Sequence, residues 1–144
     1  EPFLSFKDKY AVLLTLTSNE GSRDFQYIEQ KGVPVYEKVL RLSTKFENAH
    51  KLMYVVGATK SENLKSIRNI VPDSFLLIPG VGAQGGNLED VVRNGINSSC
   101  GLIVNSSRGI IYASQGYDFI EKAAEKAFEL QKEMSEYLKL FKII

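Results

Sequence analysis

The stretch LIPGVGAQGGNLED, residues Leu77 to Asp90, has an apolar run, then three glycines in the G-x-G-x-x-G spacing, then a helix-like segment. Gly80, Gly82 and Gly85 occupy the three glycine positions. Glycines in such a loop let backbone amides approach a phosphate closely, so the stretch predicts a phosphate-binding turn between a strand and a helix. The spacing alone is weak evidence for a dinucleotide. The neighbouring segments must therefore indicate which class of phosphate compound the loop binds.

Length and composition indicate one domain of ordinary globular type. The chain has 144 residues, 44% of them hydrophobic and 24% charged, with 18 basic and 17 acidic side chains. This length predicts one cored domain, and the near-neutral charge predicts no nucleic-acid partner. No apolar run approaches the roughly 18 residues that span a bilayer. The opening EPFLSFKDKY lacks the basic start of a signal peptide, so we expect a cytoplasmic protein with no membrane partner.

Metal and thiol chemistry have little support. Cys100 is the only cysteine and His50 the only histidine. One residue of each type favours neither a metal site nor a Cys–His nucleophile. We expect Cys100 to be a buried, inert thiol and His50 to lie on the surface at the end of a helix.

Short apolar runs alternate with helical stripes along the chain. Strands are predicted at residues 10–18, 52–59, 74–80 and 101–107, because each run is short, apolar and ends in turn-forming residues. Residues 19–32 form a long polar connection after the first strand.

Helices are predicted after each strand from apolar residues at helical spacing. Their predicted starts are Pro34, an N-cap at Ser61, Asn87 with Asp90 completing its cap, and about Asp118. The predicted buried stripes are Val35, Val39, Leu42, Phe46 and Ala49; Leu64, Ile67 and Val71; Leu88, Val91 and Val92; and Ile120, Ala124, Ala127, Leu130, Met134, Leu138 and Phe141.

Four successive strand–helix units predict an α/β fold with a parallel sheet, because parallel strands need crossovers of about a dozen residues. The strands are apolar almost throughout, as expected when both faces of a sheet are covered. Two architectures fit this pattern, a doubly wound open sheet and part of an eight-stranded barrel. Four units cannot close a barrel alone, so length in isolation favours the open sheet.

The residues around the glycine loop disfavour a dinucleotide. A Rossmann fingerprint usually opens the first unit of its domain, and an acidic residue about 20 residues later binds the ribose. Here the loop lies in the third unit, and the next strand ends in NSSR, residues 105–108. Pro79 stiffens the turn before the first glycine, and Gln84 places a hydrogen-bonding side chain between the glycines.

The barrel alternative predicts a phosphomonoester site instead. Barrel enzymes often bind a phosphate with the loops after strands seven and eight. If these four strands are the last four of a barrel, the glycine loop follows strand seven and Arg108 follows strand eight. Gln84 and Arg108 then converge on one phosphate, to which the guanidinium gives a charge-assisted contact.

The same residues resemble a known family. IPGVGAQGG (78–86) and IVNSSRGIIYAS (103–114) are similar to the carboxy-terminal half of orotidine 5′-monophosphate decarboxylase, in its longer-chain, mainly bacterial subfamily. LTSN (16–19) and VVGAT (55–59) fit the same pattern, so the resemblance covers essentially the whole chain. It implies that residues 1–144 are the carboxy-terminal half of a single TIM (β/α)₈ barrel domain and supply about its last four βα units.

The resemblance also implies roles for individual residues. Gln84 and Arg108 match the residues that bind the substrate phosphate, assisted by the backbone amide of Ser107, and Ser18 matches the residue that hydrogen-bonds the pyrimidine ring. Pro79 and Val81 match residues of the apolar pocket beside the reactive carbon. The loop glycines are Gly80, Gly82, Gly85 and Gly86.

The family's activity follows from the same resemblance. Its members are lyases that convert orotidine 5′-monophosphate (OMP) to UMP and carbon dioxide in pyrimidine biosynthesis. They act as homodimers without a metal or organic cofactor. We therefore expect OMP and UMP to be this chain's ligands.

The family's catalytic run, Asp-x-Lys-x-x-Asp, is absent from the sequence. KDKY, Lys7 to Tyr10, has similar letters but precedes a strand, so we expect no catalytic role for it. The catalytic lysines and aspartates are expected in the amino-terminal half of the barrel, which would be this chain's partner.

Without that half, the chain should expose strand edges, aggregate or depend on its partner, and decarboxylate nothing. The alternative function is a non-catalytic half barrel that binds nucleotide phosphate. Another phosphate-binding barrel enzyme, such as a sugar-phosphate epimerase or decarboxylase, is disfavoured by the Pro79–Gln84 loop and Ser18 together.

Overall fold

A computed structural model describes residues 2–82 and 85–144. The strands, in chain order, are β1 (Ala11–Leu16), β2 (Glu29–Gln30), β3 (Val33–Pro34), β4 (Leu52–Val56), β5 (Leu76–Pro79) and β6 (Leu102–Asn105). The α-helices are α1 (Ser22–Phe25), α2 (Val35–Ser43), α3 (Leu64–Ile70), α4 (Leu88–Gly95), α5 (Arg108–Ile111) and α6 (Phe119–Leu140). Short 3₁₀ helices lie at Pro2–Ser5, Ala49–Lys51 and Ala58–Asn63.

The four long strands lie side by side in the order in which the chain makes them, β1-β4-β5-β6. Each neighbouring pair is parallel. A doubly wound sheet reverses its strand order at a switch point, whereas a barrel adds each strand beside the previous one. The strand order is therefore that of a barrel, and the open sheet that length alone favours is wrong.

Helices cover one face of this sheet. Tyr54 and Val56 of β4 and Leu76 and Ile78 of β5 are buried in the core with the inner residues of the helices. Crossovers between parallel strands are right-handed, so strands added in one direction place their helices on one side. The core consequently lies between this face and helices α2, α3, α4 and α6.

The other face of the sheet is apolar and open. The strand register places Leu14, Val55, Leu77 and Ile103 in one row across all four strands. Leu14 is 59% exposed and Ile103 is 40% exposed. The expectation that both faces are covered is therefore wrong for this chain. In a closed barrel, side chains at such positions fill the interior.

Helices α3 and α4 bury the predicted faces. The Asn87 side chain accepts a hydrogen bond from the Asp90 amide at 3.2 Å, which confirms the predicted cap of α4. The buried residues of the two stripes are Leu64, Ile67 and Val71, and Leu88, Val91 and Val92.

Helix α2 buries a different face from the predicted one. It ends at Ser43, and its buried residues are Tyr36, Leu40 and Ser43. The Ser43 hydroxyl lies 2.9 Å from the Tyr54 hydroxyl and also donates to the Leu40 carbonyl. A hydroxyl that forms hydrogen bonds can be buried at little cost in free energy. A prediction based only on apolar residues therefore misses buried serines and tyrosines. The predicted stripe residues left exposed are Val35, Leu42 and Phe46.

Helix α6 confirms only the second half of its predicted stripe. Leu130, Met134 and Phe141 pack against the core, and Leu138 is partly buried. The helix has 22 residues, which span about 33 Å, whereas the long strands have four to six residues. Its first turns therefore extend beyond the sheet. The predicted residues left exposed are Ile120, Ala124 and Ala127.

Three local predictions are corrected. Ser61 lies inside the 3₁₀ helix Ala58–Asn63, so it does not cap α3. Residues 19–32 contain α1 and half of a β2-β3 hairpin, whose turn places Lys31 and Gly32 at positive φ, as tight hairpin turns require. Cys100 is only partly buried.

Two further expectations concern the exposure of His50 and the lack of a membrane-spanning segment. His50 is exposed, as predicted, but it lies in the 3₁₀ helix Ala49–Lys51 and not at the end of the long helix, because α2 ends at Ser43. Among the described residues, no helix combines the length and apolar character needed to cross a membrane.

Arg68 ties together the segments at the amino ends of β5 and β6. Its guanidinium donates to the carbonyls of Gly95 at 2.6 Å, Ser74 at 2.6 Å and Gly101 at 2.7 Å. Burial lowers the pKa of Arg68 to about 10, so the side chain stays charged at neutral pH. Hydrogen bonds from a charged donor are stronger than neutral ones, and the acceptors would otherwise be under-satisfied.

We expect Arg68→Met to lower the free energy of unfolding by about 2–4 kcal/mol, because it leaves several carbonyls without a donor. Urea unfolding followed by circular dichroism measures the change. Arg93→Met is the matched control: the Arg93 side chain is 57% exposed and, within residues 2–82 and 85–144, pairs with Glu89 alone, so its loss should cost less than about 1 kcal/mol. Equal losses in the two variants would contradict the role given to Arg68.

Candidate functional site

The predicted site residues that the structure describes lie together at one edge of the sheet. Ser18 follows β1, Pro79 ends β5, and Ser107 and Arg108 follow β6. Because the strands are parallel, these positions share the carboxyl edge of the sheet, where α/β folds bind their ligands. The loops after the four strands therefore form one candidate site.

A small cleft joins the ends of β5 and β6. Its volume is about 40 Å³, and it is lined by Pro79, Gly80, Val81 and residues 105–108. Four predicted site residues, Pro79, Val81, Ser107 and Arg108, thus face one space. Gln84, the other predicted phosphate ligand, lies outside the described residues. The cleft brings the two loops of the predicted phosphate site side by side.

The glycine loop closes on itself and on the neighbouring segment. Gly80, Gly82 and Gly85 have φ values of 95°, 77° and 82°, which residues with a side chain rarely adopt. The Gly86 amide donates to the Gly80 carbonyl at 3.2 Å. A Cβ atom at Gly86 would lie 2.2 Å from the Ala58 Cβ, so this position has no room for a side chain. The backbone at the described ends of the loop, residues 80–82 and 85–86, therefore depends on these glycines.

Arg108 is available to an anion. It is the first residue of α5 and is exposed, and it takes no part in the ion pairs among the described residues. Ser107 stands at the N-cap position, and the first amides of any helix lack partners within it. A free guanidinium next to helix-end amides suits a phosphate group.

Ser18 has the most unusual environment in the candidate site. Its hydroxyl oxygen is buried and has no hydrogen-bond partner among the described residues. A Cβ atom at Gly57 would lie 2.0 Å from that oxygen, so the close approach of the two segments requires glycine. A buried, unpaired hydroxyl costs free energy unless another group satisfies it. Ser18 thus carries an unsatisfied hydroxyl close to the carboxyl edge of the sheet.

Sequence reasoning missed Gln26. Its side-chain Oε1 accepts from the Thr17 amide at 2.9 Å, and its Nε2 donates to the Thr17 hydroxyl at 2.9 Å. Gln26 follows α1, within the segment interpreted as a polar connection. No motif marks the pair, because their contact depends on how α1 folds back over the end of β1.

The described part of the cleft offers binding groups but no acid–base pair. Its lining residues include neither a carboxylate nor a lysine. The exposed residues Lys7 to Tyr10 precede β1 and so lie toward the opposite edge of the sheet. Among the described residues, no group of three or more His, Cys, Asp or Glu side chains could hold a metal ion. The groups that line the cleft therefore suit the binding of an anion.

Comparisons with known proteins point to one family. The model of the orotidine 5′-phosphate decarboxylase / HUMPS family matches residues 5–134. A relative from Flavobacterium johnsoniae, named orotidine 5′-phosphate decarboxylase, is 55% identical over 138 residues, which are 96% of this chain and 50% of that protein. A relative of the same name from Porphyromonas gingivalis is 56% identical over 134 residues, 92% of this chain and 49% of that protein.

Solved structures agree with these relatives. The chain superposes on the OMP decarboxylase of Leishmania donovani with a TM-score of 0.73 and 28% identity, covering 91% of this chain and 50% of that one. For the UMP synthase of the same organism the TM-score is 0.74 and the identity 32%, covering 90% of this chain and 29% of that one. The chain thus spans about half the length of the curated relatives it matches. The sequential parallel sheet is part of a TIM barrel, and the chain belongs to the orotidine 5′-phosphate decarboxylase / HUMPS family.

Proposed function

We propose that residues 1–144 are the carboxy-terminal half of a single barrel domain in an orotidine 5′-phosphate decarboxylase. In this role the chain supplies the loops that bind the phosphate and the pyrimidine of OMP, which is converted to UMP and carbon dioxide in pyrimidine biosynthesis. The observation that carries the proposal is the cleft between β5 and β6, into which Pro79, Val81, Ser107 and Arg108 converge. The identity of the curated relatives supports the choice of reaction.

The proposed phosphate site lies far from the bond that breaks, yet it contributes to catalysis. Loss of carbon dioxide leaves negative charge on a ring carbon, so the enzyme must stabilise the transition state more than the ground state. Contacts of Arg108 and Gln84 with the phosphate, assisted by the Ser107 amide, supply binding energy that holds the ring in place and excludes water.

The remaining residues act on the ring itself. The Ser18 hydroxyl forms a hydrogen bond with a polar atom of the pyrimidine. This bond supplies the partner that the hydroxyl lacks among the described residues. Pro79 and Val81 form an apolar wall where the carboxylate leaves. Val81 is only 5% exposed, and an apolar wall disfavours the charged carboxylate relative to neutral carbon dioxide.

The amino-terminal half of the barrel completes this proposal. The lysines and aspartates that transfer the proton belong to that half, because the sequence has no Asp-x-Lys-x-x-Asp run. The open apolar row of the sheet and the free edges of β1 and β6 are the surfaces it would cover. We also propose that the complete enzyme is a cytoplasmic homodimer, and that the chain alone is inactive.

A second candidate function is a half barrel that binds nucleotide phosphate without turnover. Its basis is that the sequence of this chain has no Asp-x-Lys-x-x-Asp run, which is compatible with either function. The two functions differ in one measurable property, which is whether the chain supports decarboxylation when the rest of a barrel is present.

A chimera tests this difference. We expect this chain to restore decarboxylation when it replaces the 138 aligned residues of the Flavobacterium johnsoniae relative, because the catalytic residues then come from the remainder of that barrel. Loss of OMP absorbance measures turnover, and the 144-residue chain alone should show none. A chimera that folds and binds UMP without turnover would support the non-catalytic function.

In the same chimera we expect Arg108→Ala to lower kcat/KM by about two to three orders of magnitude, since it removes a charge-assisted contact that supports the transition state. Arg93→Ala is the matched control: Arg93 is an exposed arginine on α4 that pairs with Glu89. Its kcat/KM should stay near that of the unsubstituted chimera. Near-unchanged kinetics for Arg108→Ala would exclude the proposed phosphate contact.

A further inference from the structure

The path of the chain into Ser18 is set by an irregularity in β1. Leu14 pairs with Val55 and Leu16 with Val56, so Thr15 is an extra residue in the ladder. Thr15 and Leu16 are consequently both buried, which breaks the alternation of the strand. A bulge of this kind changes the face on which every later residue lies. The orientation of the chain at Ser18 therefore depends on what holds the residues just after the bulge.

The regular ladder stops before it reaches Ser18. The last backbone contact at this point runs from the Gly57 amide to the Leu16 carbonyl, at 2.8 Å. Thr17 lies beyond the end of β1, where the Gln26 side chain takes the place of a strand partner. It accepts from the Thr17 amide and donates to the Thr17 hydroxyl, each at 2.9 Å. One side chain thus holds both the backbone and the side chain of the residue before Ser18.

Ser18 needs such support because it has little tolerance for displacement. Its hydroxyl is pressed against Gly57 and forms no hydrogen bond with the described residues. A hydroxyl without a protein partner is not oriented by its own contacts, so its position follows from the backbone that carries it. That backbone is held on the Gly57 side by the neighbouring strand and at Thr17 by Gln26.

We propose that Gln26 is a positioning residue that holds the Ser18 hydroxyl where it contacts the pyrimidine ring. This inference rests on the proposed function, because it assigns to Gln26 the task of supporting a contact proposed there. Gln26 itself touches Thr17 and acts on the ligand only through Ser18. Displacing a contact group by about 1 Å can cost on the order of a hundredfold in rate, so a support of this kind affects the ligand strongly.

The inference is tested by Gln26→Met in the chimera, since methionine keeps the length of the side chain and removes both hydrogen bonds. The probes are UMP and ribose 5-phosphate, which lacks the base. We expect Gln26→Met to weaken UMP binding by about tenfold and to leave ribose 5-phosphate binding unchanged. Titration calorimetry measures both affinities. Gln26→Glu should restore UMP binding only in part, because its carboxylate still accepts from the Thr17 amide but cannot donate to the Thr17 hydroxyl, which itself donates to the Asn19 side chain at 2.6 Å.

Gln30→Met is the matched control, as Gln30 lies in the same segment and its exposed side chain has no partner among the described residues except Lys38, from which it accepts. We expect it to change neither affinity. The effects of Gln26→Met and Ser18→Ala on UMP binding should also be non-additive, because the first acts through the second.

The possible outcomes separate this inference from the proposed function. Equal weakening of UMP and ribose 5-phosphate, an unchanged UMP affinity, or additive effects with Ser18→Ala would each overturn the role of Gln26 and leave the proposed function standing. A folded, unsubstituted chimera that binds neither probe would overturn the proposed function, and the role of Gln26 with it.

Discussion

The rest of the structure depends on one constraint, which is that crossovers between parallel strands are right-handed. Here each new strand is added on the same side of the one before it. Each of the long strands β1, β4, β5 and β6 lies beside the one before it, so each intervening helix must return on the same side. That geometry gives the sheet one face packed in the core and one open apolar face. It also brings every loop that follows a strand to a single edge.

The shared edge explains how residues far apart in sequence can serve one ligand. Ser18 and Arg108 are separated by most of the chain, yet both follow strands of one parallel sheet. The two ends of the site differ in how they are held. The proposed phosphate end uses glycine conformations and a helix start, which are local, whereas the proposed ring end uses a side chain that folds back from outside the sheet.

The sequence predicted best those features that depend on neighbouring residues. The cap at Asn87 and the faces of α3 and α4 were predictable because aliphatic residues and a local side-chain acceptor define them. The face of α2 was not, because Ser43 is buried through a bond to Tyr54 on a different element. Gln26 escaped detection for the same reason, since its partner is set by the folding of α1. Contacts between polar groups on separate elements leave no periodic pattern.

At the opposite edge of the sheet, the hydrogen bonds depend little on which residue types supply the acceptors. In the part of the chain that the structure describes, Arg68 donates only to main-chain carbonyls, including those of Val71, Pro72 and Ser74, and every residue type carries a carbonyl. Exchange of those residues would leave the acceptors in place, whereas lysine could not replace the forked guanidinium. The loops at this edge can therefore change in sequence around Arg68 while its hydrogen bonds persist, whereas a change of Arg68 itself removes all of these bonds at once.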